Sequence, residues 1–132
     1  MTTKALTLTD IRAGTPQFDL NVPCKTASWA ALGTGDDGDP LPTDTIVQYL
    51  DRTFQVTGTF GSGGALVIEG TNDGVNWYTL TDPQGVALSI TTAGIYQVIQ
   101  VTLKMRPRVS GGDGTTILVV TGLLRRTHFA FQ

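Results

Sequence analysis

Few residues of this chain combine the types and the spacing that enzymatic chemistry requires. Cys24 and His128 are the only thiol and the only imidazole in the sequence. Nucleophilic catalysis would need these two side chains within hydrogen-bond reach, together with a third orienting group. Nothing in their spacing supports such an arrangement. We therefore interpret Cys24 as a small buried apolar residue and His128 as a surface residue near the C-terminus.

Glu69 and Asp73 form the most evident carboxylate pair in the sequence. Glycoside hydrolysis uses two acidic side chains that flank the scissile bond, so this pair is the natural candidate for it. However, Asp73 precedes Gly74 in a turn, and Glu69 is expected to end a strand and to pair with Arg106 or Arg108 across a sheet. We predict that both carboxylates are structural and that the protein is not an enzyme.

The segment GDDGDP supplies Asp36, Asp37 and Asp39, which have the density of oxygen atoms that a calcium loop needs. It lacks the full ligand spacing and the closing bidentate Glu of an EF-hand. A flexible acidic loop is the favoured interpretation, with adventitious calcium binding as the alternative. The glycine clusters at 61–64 and 111–114 are predicted to be turns, because neither has the sequence of a phosphate-binding loop. We predict no metal and no cofactor.

Composition and charge argue against two classes of partner. The chain of 132 residues has 9 Lys and Arg against 11 Asp and Glu, for a net charge of -2. This balance lacks the basic surface of a general nucleic-acid-binding protein. The longest apolar run, 117–124, is broken by Thr121 and Gly122 and is too short to span a membrane. We also find no secretory signal pattern, and a single cysteine is typical of folding in a reducing cytoplasm.

The distribution of turn residues predicts an all-β protein. Charged residues make up 15% of the chain, against roughly 25% in typical globular proteins. Turn signals recur at intervals of roughly ten residues, as is typical of β-sandwiches and barrels. We predict a single β-sandwich, jelly-roll-like or immunoglobulin-like, with an extended N-terminal segment and a long loop.

Most of the predicted strands lie after residue 50. Apolar alternation and apolar runs place them at 52–60, 65–69, 77–80, 86–90, 95–103, 105–110 and 115–124. Strands 65–69 and 115–124 are expected to be buried on both faces. The pair Asp73-Gly74 predicts a tight hairpin turn. Pro107 lacks an N–H group, so it predicts an edge, a strand start or a bulge.

Trp77 and Tyr78 occupy adjacent positions of a predicted strand. Adjacent strand residues point to opposite faces of a sheet. We expect Trp77 to lie in the core or in a subunit contact and Tyr78 to lie on the opposite side. An aromatic platform for sugars is the alternative.

The first fifty residues follow a different pattern. Residues 5–10 and 18–22 are predicted strands, whereas 27–44 are rich in Gly, Asp and Pro and are predicted to form a long loop. The domain organisation is therefore N-terminal strands, arm and loop at 1–50, a sandwich body at 51–126 and a C-terminal tail at 127–132, all within one domain.

Several large apolar side chains lie outside the predicted sandwich body. Trp29 begins the long loop, and either its own core or a neighbouring subunit could bury it. The tail carries two Phe residues that pose the same question. The predicted interface residues are Leu6, Leu8, Trp29, Leu32, Leu41, Phe129 and Phe131.

A family resemblance rests on a series of segments between Asp51 and Thr116. In chain order these segments are DRTFQVTGTFGSGG, VIEGTNDGVNWYTL, TDPQGVALSI and MRPRVSGGDGTT. They resemble small structural proteins encoded in the head-gene regions of tailed bacteriophages. The resemblance implies a capsid decoration, or cement, protein, which is a β-sandwich that binds the outer surface of the shell and staples neighbouring major capsid proteins together.

The resemblance implies a location on the virion after synthesis in the host cytoplasm. Its expected partners are the major capsid protein and further copies of this chain in a homodimer or homotrimer. Apolar arms at 1–12, around Trp29 and at 127–132 would make these contacts. The alternative is a phage tail or baseplate component with a receptor-binding or carbohydrate-binding β-sandwich, in which Tyr78 would contact the sugar.

Overall fold

The computed structural model describes residues 2–11 and 24–126. In this part of the chain the strands are β1 (Thr3–Lys4), β2 (Thr7–Ile11), β3 (Cys24–Leu32), β4 (Asp37–Gly38), β5 (Asp51–Thr59), β6 (Ala65–Thr71), β7 (Tyr78–Thr79), β8 (Ser89–Ile90), β9 (Gly94–Gln97), β10 (Lys104–Ser110) and β11 (Ile117–Arg125). A short helix, α1 (Thr43–Gln48), lies between β4 and β5.

The strands form two packed sheets. One is a 6-stranded sheet in the order β1-β4-β10-β6-β7, with β8 also paired to β6, and the other is a 5-stranded sheet in the order β2-β3-β11-β5-β9. The described strand pairs are antiparallel except β1 with β4, which is parallel. The predicted all-β sandwich is confirmed.

The core lies between the two sheets and draws buried side chains from both. It includes Trp29, Phe54, Val56, Leu118 and Val120 from the 5-stranded sheet and Leu66, Ile68, Met105 and Val109 from the 6-stranded sheet. Burying these apolar side chains is the main driving force for folding.

Strand β11 is central in its sheet but is buried on one face only. Leu118, Val120 and Leu124 are fully buried, whereas the alternate residues Ile117 and Leu123 are 55% and 47% exposed. The predicted burial on both faces is therefore wrong for this strand. For β6 it is confirmed, because every residue from Leu66 to Thr71 is buried.

Pro107 lies in the middle of β10, between β4 and β6. On the β4 side of the strand, the carbonyl of Met105 accepts from Leu41 N–H at 2.8 Å and the N–H of Val109 donates to the Asp36 carbonyl at 2.9 Å. Alternate residues of an antiparallel strand direct their backbone groups to the same neighbour. The missing N–H of Pro107 therefore faces the short strand β4, and pairing with β6 is preserved. The predicted edge, strand start or bulge is wrong.

The predicted long loop at 27–44 is also wrong, because β3 extends to Leu32 and is followed by β4 and the start of α1. Trp29 organises this region. Its Nε1 donates a hydrogen bond to the Asp39 carbonyl at 2.9 Å, and a Cβ on Gly38 would lie 2.6 Å from Trp29 Cδ1. Gly38 is thus needed for close packing of the indole ring. From sequence composition alone, this glycine is a sign of a loop.

A buried guanidinium connects α1 to the segment that follows β9. Arg52 is 1% exposed, and its Nη1 donates to the carbonyl oxygens of Ile46 at 2.8 Å and Tyr49 at 3.0 Å. Its Nη2 donates to the carbonyl of Gln100. These contacts satisfy carbonyls at the helix C-terminus that have no partner within the helix. The strand predicted at 95–103 ends at Gln97. The N–H of Val98 still donates to the Arg52 carbonyl at 3.1 Å, and beyond it the Gln100 carbonyl bonds to the Arg52 side chain.

Strands β6 and β7 form the predicted hairpin, with Glu69 opposite Thr79 and Gly70 opposite Tyr78. Residues 72–77 connect them, so the predicted tight turn is replaced by a longer loop. Gly74 has a φ of 80°, in the left-handed region that favours glycine. The prediction of a hairpin is confirmed, and its turn type is wrong.

Candidate functional site

The residues predicted to form an interface fall into three groups. Trp29, Leu32 and Leu41 are at most 1% exposed and belong to the core of this chain. Their assignment to an interface is wrong, because neighbouring elements of the same chain already enclose them. Leu6 and Leu8 are partly buried against the core. Phe129 and Phe131 lie outside the described residues, as does His128.

Residues 2–11 are built into the sandwich instead of extending from it as an arm. Strand β1 pairs with β4 in one sheet, and β2 pairs with β3 in the other. The N–H of Thr2 donates to Asp36 Oδ1 at 2.9 Å, and the hydroxyl of Thr3 donates to Asp37 Oδ1 at 2.7 Å. The N-terminal strands therefore hold the two layers together at one edge.

The acidic segment acts as a clasp for these N-terminal strands. Asp36 is buried, and burial raises the pKa of its carboxyl, but hydrogen bonds from the N–H groups of Gly33 and Thr2 and the charge of Lys4 lower the pKa below its ordinary value overall. Lys4 Nζ lies 3.8 Å from Asp36 Oδ2. Among the described residues, no group of three or more His, Cys, Asp or Glu side chains is placed to hold a metal ion.

The two glycine clusters are turns, as predicted, and Asp113 joins them. Its carboxylate accepts hydrogen bonds from the hydroxyl of Thr115 at 2.6 Å, the N–H of Ser62 at 2.9 Å and the N–H of Thr115 at 2.9 Å. These bonds, with the Thr115 hydroxyl contributing most, lower the pKa of Asp113 to about 2. This end of the sandwich is thus fixed by hydrogen bonds between its loops.

One outer face of the molecule carries a network of ion pairs, which we call the ionic face. It consists of Asp37, Glu69, Trp77, Arg106 and Arg108 of the 6-stranded sheet and its loops. The Glu69 side chain is 5% exposed and accepts from Arg106 Nε at 2.8 Å and Arg108 Nε at 3.0 Å. Arg106 Nη1 also lies 3.2 Å from Asp37 Oδ2. The predicted pairing of Glu69 with arginines is confirmed.

Trp77 lies on this ionic face and not in the core. The guanidinium of Arg106 lies 3.9 Å from the centroid of its indole ring, within the range of a cation–π interaction. Tyr78 points to the opposite side of the sheet and is 71% exposed. The expected division of the two rings between opposite faces is confirmed, whereas the placement of Trp77 in the core is wrong.

The outer face of the 5-stranded sheet is chemically different, and we call it the threonine face. Residues directly opposite each other on paired strands share a face. The register of β2, β3, β11, β5 and β9 therefore aligns two rows of outward side chains across the sheet. One row is Thr9, Thr26, Leu123, Thr53 and Gln97, and the next is Thr7, Ser28, Thr121, Gln55 and Ile95.

Neither row of the threonine face contains a charged residue. Ile95 and Leu123, at 65% and 47% exposed, are large apolar residues on the surface. A shallow groove of about 210 Å³ runs over the face between them, lined also by Thr26, Thr53 and Thr121. Arg125 and Asp51 form an ion pair on the same side of the sheet, two residues beyond Leu123 and Thr53. This face could meet another protein without desolvating an unpaired charge.

The sequence analysis missed the threonine face, although a signal for it is present. Thr, Ser and Gln recur at every second position of β2, β3 and β5, and they alternate with core residues such as Trp29, Phe54 and Val56. That periodicity identifies an exposed face but cannot align the strands. The pairing of β11 between β3 and β5 is what brings the polar positions into rows.

A second surface feature is a groove of about 390 Å³ beside Tyr78. It is lined by Gly70, Thr71, Asn72, Asp73, Asn76, Tyr78, Leu80 and Thr102. The groove lies at the end of the β6–β7 hairpin, away from the threonine face.

Comparisons of the chain with protein-family models, curated proteins and solved structures found no match. Within residues 2–11 and 24–126, no helix has the length and apolar character needed to cross a membrane.

Proposed function

We propose that this protein is a non-enzymatic structural protein of a bacteriophage virion, which decorates and stabilises the capsid by binding the outer surface of major capsid proteins. The observation that carries the proposal is the threonine face, whose two central rows form an uncharged and partly apolar surface across five paired strands. A protein that acts by adhesion requires such a surface and needs no catalytic site.

The size of the threonine face suits a specific protein contact. Strands β3, β5 and β11 each have 9 residues. With strands about 4.8 Å apart and a rise of about 3.3 Å per residue, the five strands present about 600 Å² of planar surface, of which the two uncharged rows occupy about half. The remainder includes the ion pair of Arg125 with Asp51. Specific interfaces bury about 800 Å² of accessible surface per partner, and side-chain relief makes accessible surface larger than planar surface.

The side chains of the threonine face can be buried against a partner at a low free-energy cost. Short β-branched Thr side chains lose little conformational entropy when they are immobilised in a contact. Ile95 and Leu123 supply apolar surface that gains free energy on burial. Because its two central rows carry no charge, burying them avoids the several kcal/mol per ion that desolvation costs.

The family resemblance supports the same proposal. The segments that resemble phage head proteins supply β5, β6, β7, β8 and β10 and the turns between them, so the resemblance concerns the rigid body of the sandwich. In this proposal the body presents the threonine face to the shell, and the protein forms a closed homodimer or homotrimer.

The test uses capsids of the encoding phage from which this protein is missing, to which purified protein is added back. Thr121→Asp places a charge at the centre of the threonine face. Ser89→Asp is the matched control, because Ser89 is an exposed strand residue of the other sheet. We expect wild type and Ser89→Asp to occupy the shell in electron cryomicroscopy reconstructions and Thr121→Asp to lose most of its occupancy.

Two results would contradict this proposal in different ways. Equal occupancy by wild type and Thr121→Asp would show that the threonine face does not contact the shell. Wild-type protein located on the tail of the intact particle, with none on the head, would overturn the decoration role and favour the tail or baseplate alternative.

A further inference from the structure

The groove beside Tyr78 has the shape of a small ligand site. Its volume of about 390 Å³ lies within the range of about 300–1,000 Å³ that is usual for such sites. Tyr78 stands opposite Gly70 across the strand pair, so no side chain covers the ring from that position. A Cβ on Gly70 would lie 2.8 Å from Thr102 Oγ1, which means that the glycine lets Thr102 approach and form the floor.

The polar wall of the groove is held in place before any ligand arrives. Asp73 Oδ1 accepts hydrogen bonds from the N–H groups of Val75 and Asn76, both at 2.8 Å. Its Oδ2 accepts from Asn76 Nδ2 at 2.7 Å. Asn72 Oδ1 accepts from the N–H of Leu103 at 3.0 Å, which anchors this residue to the opposite wall. A wall fixed in this way loses little entropy on binding.

We infer that this groove binds a neutral saccharide, whose apolar ring face stacks on Tyr78 while its hydroxyls bond to Asn72, Asp73 and Asn76. The exposed ring offers an apolar, polarised face of the kind that packs against C–H groups. The amide and carboxylate groups beside it supply donors and acceptors suited to vicinal hydroxyls.

The charge of the groove favours neutral sugars over acidic ones. Among the residues that the structure describes, Asp73 is the only charged side chain that lines it. Hydrogen bonds to this carboxylate, with the Asn76 N–H contributing most, hold the pKa of Asp73 far below its ordinary value. The carboxylate is therefore ionised at neutral pH and repels a second anion such as sialic acid.

The test is an array of neutral and sialylated glycans, followed by titration of the full-length protein with the best neutral oligosaccharide while backbone amide signals are recorded by NMR. We expect neutral glycans to bind and the amide signals of Asn72, Asp73 and Asn76 to shift. Tyr78→Ala should weaken binding about tenfold, and Tyr78→Phe should retain it, because the stacking face remains.

Val86→Ala is the control for loss of exposed apolar surface elsewhere, since Val86 is 60% exposed and does not line this groove. Its affinity should equal that of wild type. Absence of binding to every neutral glycan, or equal affinities of wild type and Tyr78→Ala, would overturn the inference. The capsid experiment depends on Thr121 on another sheet, so either proposal can fail without the other.

Discussion

The two outer faces of the sandwich expose different kinds of side chain to solvent. On the ionic face, Glu69 sits between Arg106 and Arg108 with its side chain 5% exposed. On the threonine face, the two central rows carry no charge. The charged groups of the ionic face are paired with one another within the chain. The threonine face instead exposes short hydroxyl and apolar side chains that a partner could contact.

Under the proposed function, this difference separates a stabilising surface from a binding surface. A charged network whose members are paired with one another has little left to offer a partner, and removing one member leaves the others unpaired. An uncharged face contributes little to stability but can be buried at low cost. We therefore expect substitutions on the ionic face to change the free energy of unfolding, and substitutions on the threonine face to change binding instead.

The largest expected effect is that of Glu69→Ala on the ionic face. The change removes the buried carboxylate that Arg106 and Arg108 share and leaves Arg106 with Asp37 alone, and we expect it to lower the free energy of unfolding by about 2–3 kcal/mol. Gln55→Ala on the threonine face is the control and should stay within about 0.5 kcal/mol of wild type. Urea denaturation of both variants measures the difference, and equal losses would contradict the division between the faces.

The second prediction concerns pH and the β1–β4 edge of the sheet that bears the ionic face. Because the folded pKa of Asp36 is lowered, its ionised form adds stability above the unfolded pKa of about 3.9. That contribution is lost as the pH falls through the folded value. We expect Asp36→Asn to cost about 1–2 kcal/mol at pH 7 and progressively less below pH of about 4.

Denaturation midpoints of wild type and Asp36→Asn between neutral and acidic pH would measure this dependence. Thr53→Val on the threonine face provides the comparison, since no titrating group is changed. If the effect of Asp36→Asn were independent of pH, the stabilising contribution of the ionised carboxylate would be disproved.

The third prediction uses the two adjacent rings, Trp77 and Tyr78. Trp77→Ala removes the indole ring that lies over Arg106 and should cost about 1 kcal/mol in the free energy of unfolding. Tyr78→Ala removes a ring that is 71% exposed and should cost less than about 0.5 kcal/mol. Urea denaturation measures both values. A larger loss for Tyr78→Ala would show that its ring supports the fold, which would also weaken its assignment to a ligand groove.

Much of the fold could be predicted from the sequence, because period-two alternation and turn residues record burial directly. The alternation of Phe54 and Val56 in β5 is an example. The pairing of Glu69 with arginines could also be predicted, because oppositely charged residues on neighbouring strands tend to pair. The region around Trp29 could not be predicted in this way. Its glycine and aspartate residues serve close packing and backbone hydrogen bonding, which composition cannot distinguish from loop character.

The candidate sites were less predictable than the fold, because they depend on register. Thr26, Thr53 and Thr121 are distant in sequence and become neighbours only when β11 inserts between β3 and β5. The predicted interface instead included large apolar residues such as Leu41, which the structure places in the core. Size and hydrophobicity indicate burial, and only the structure shows whether this chain or a partner provides it.

The smallest expected effect is that of Thr121→Val at the centre of the threonine face. Valine keeps the β-branched shape and strand preference of threonine and removes only a hydroxyl that faces solvent, so the free energy of unfolding should change by less than about 0.5 kcal/mol. Urea denatures both proteins at the same midpoint if this is right. Capsid occupancy should also persist, in contrast to Thr121→Asp, because the face remains uncharged. A loss of more than about 1 kcal/mol would mean that the hydroxyl is bonded within the fold, and the threonine face would then be a stabilising surface like the ionic one.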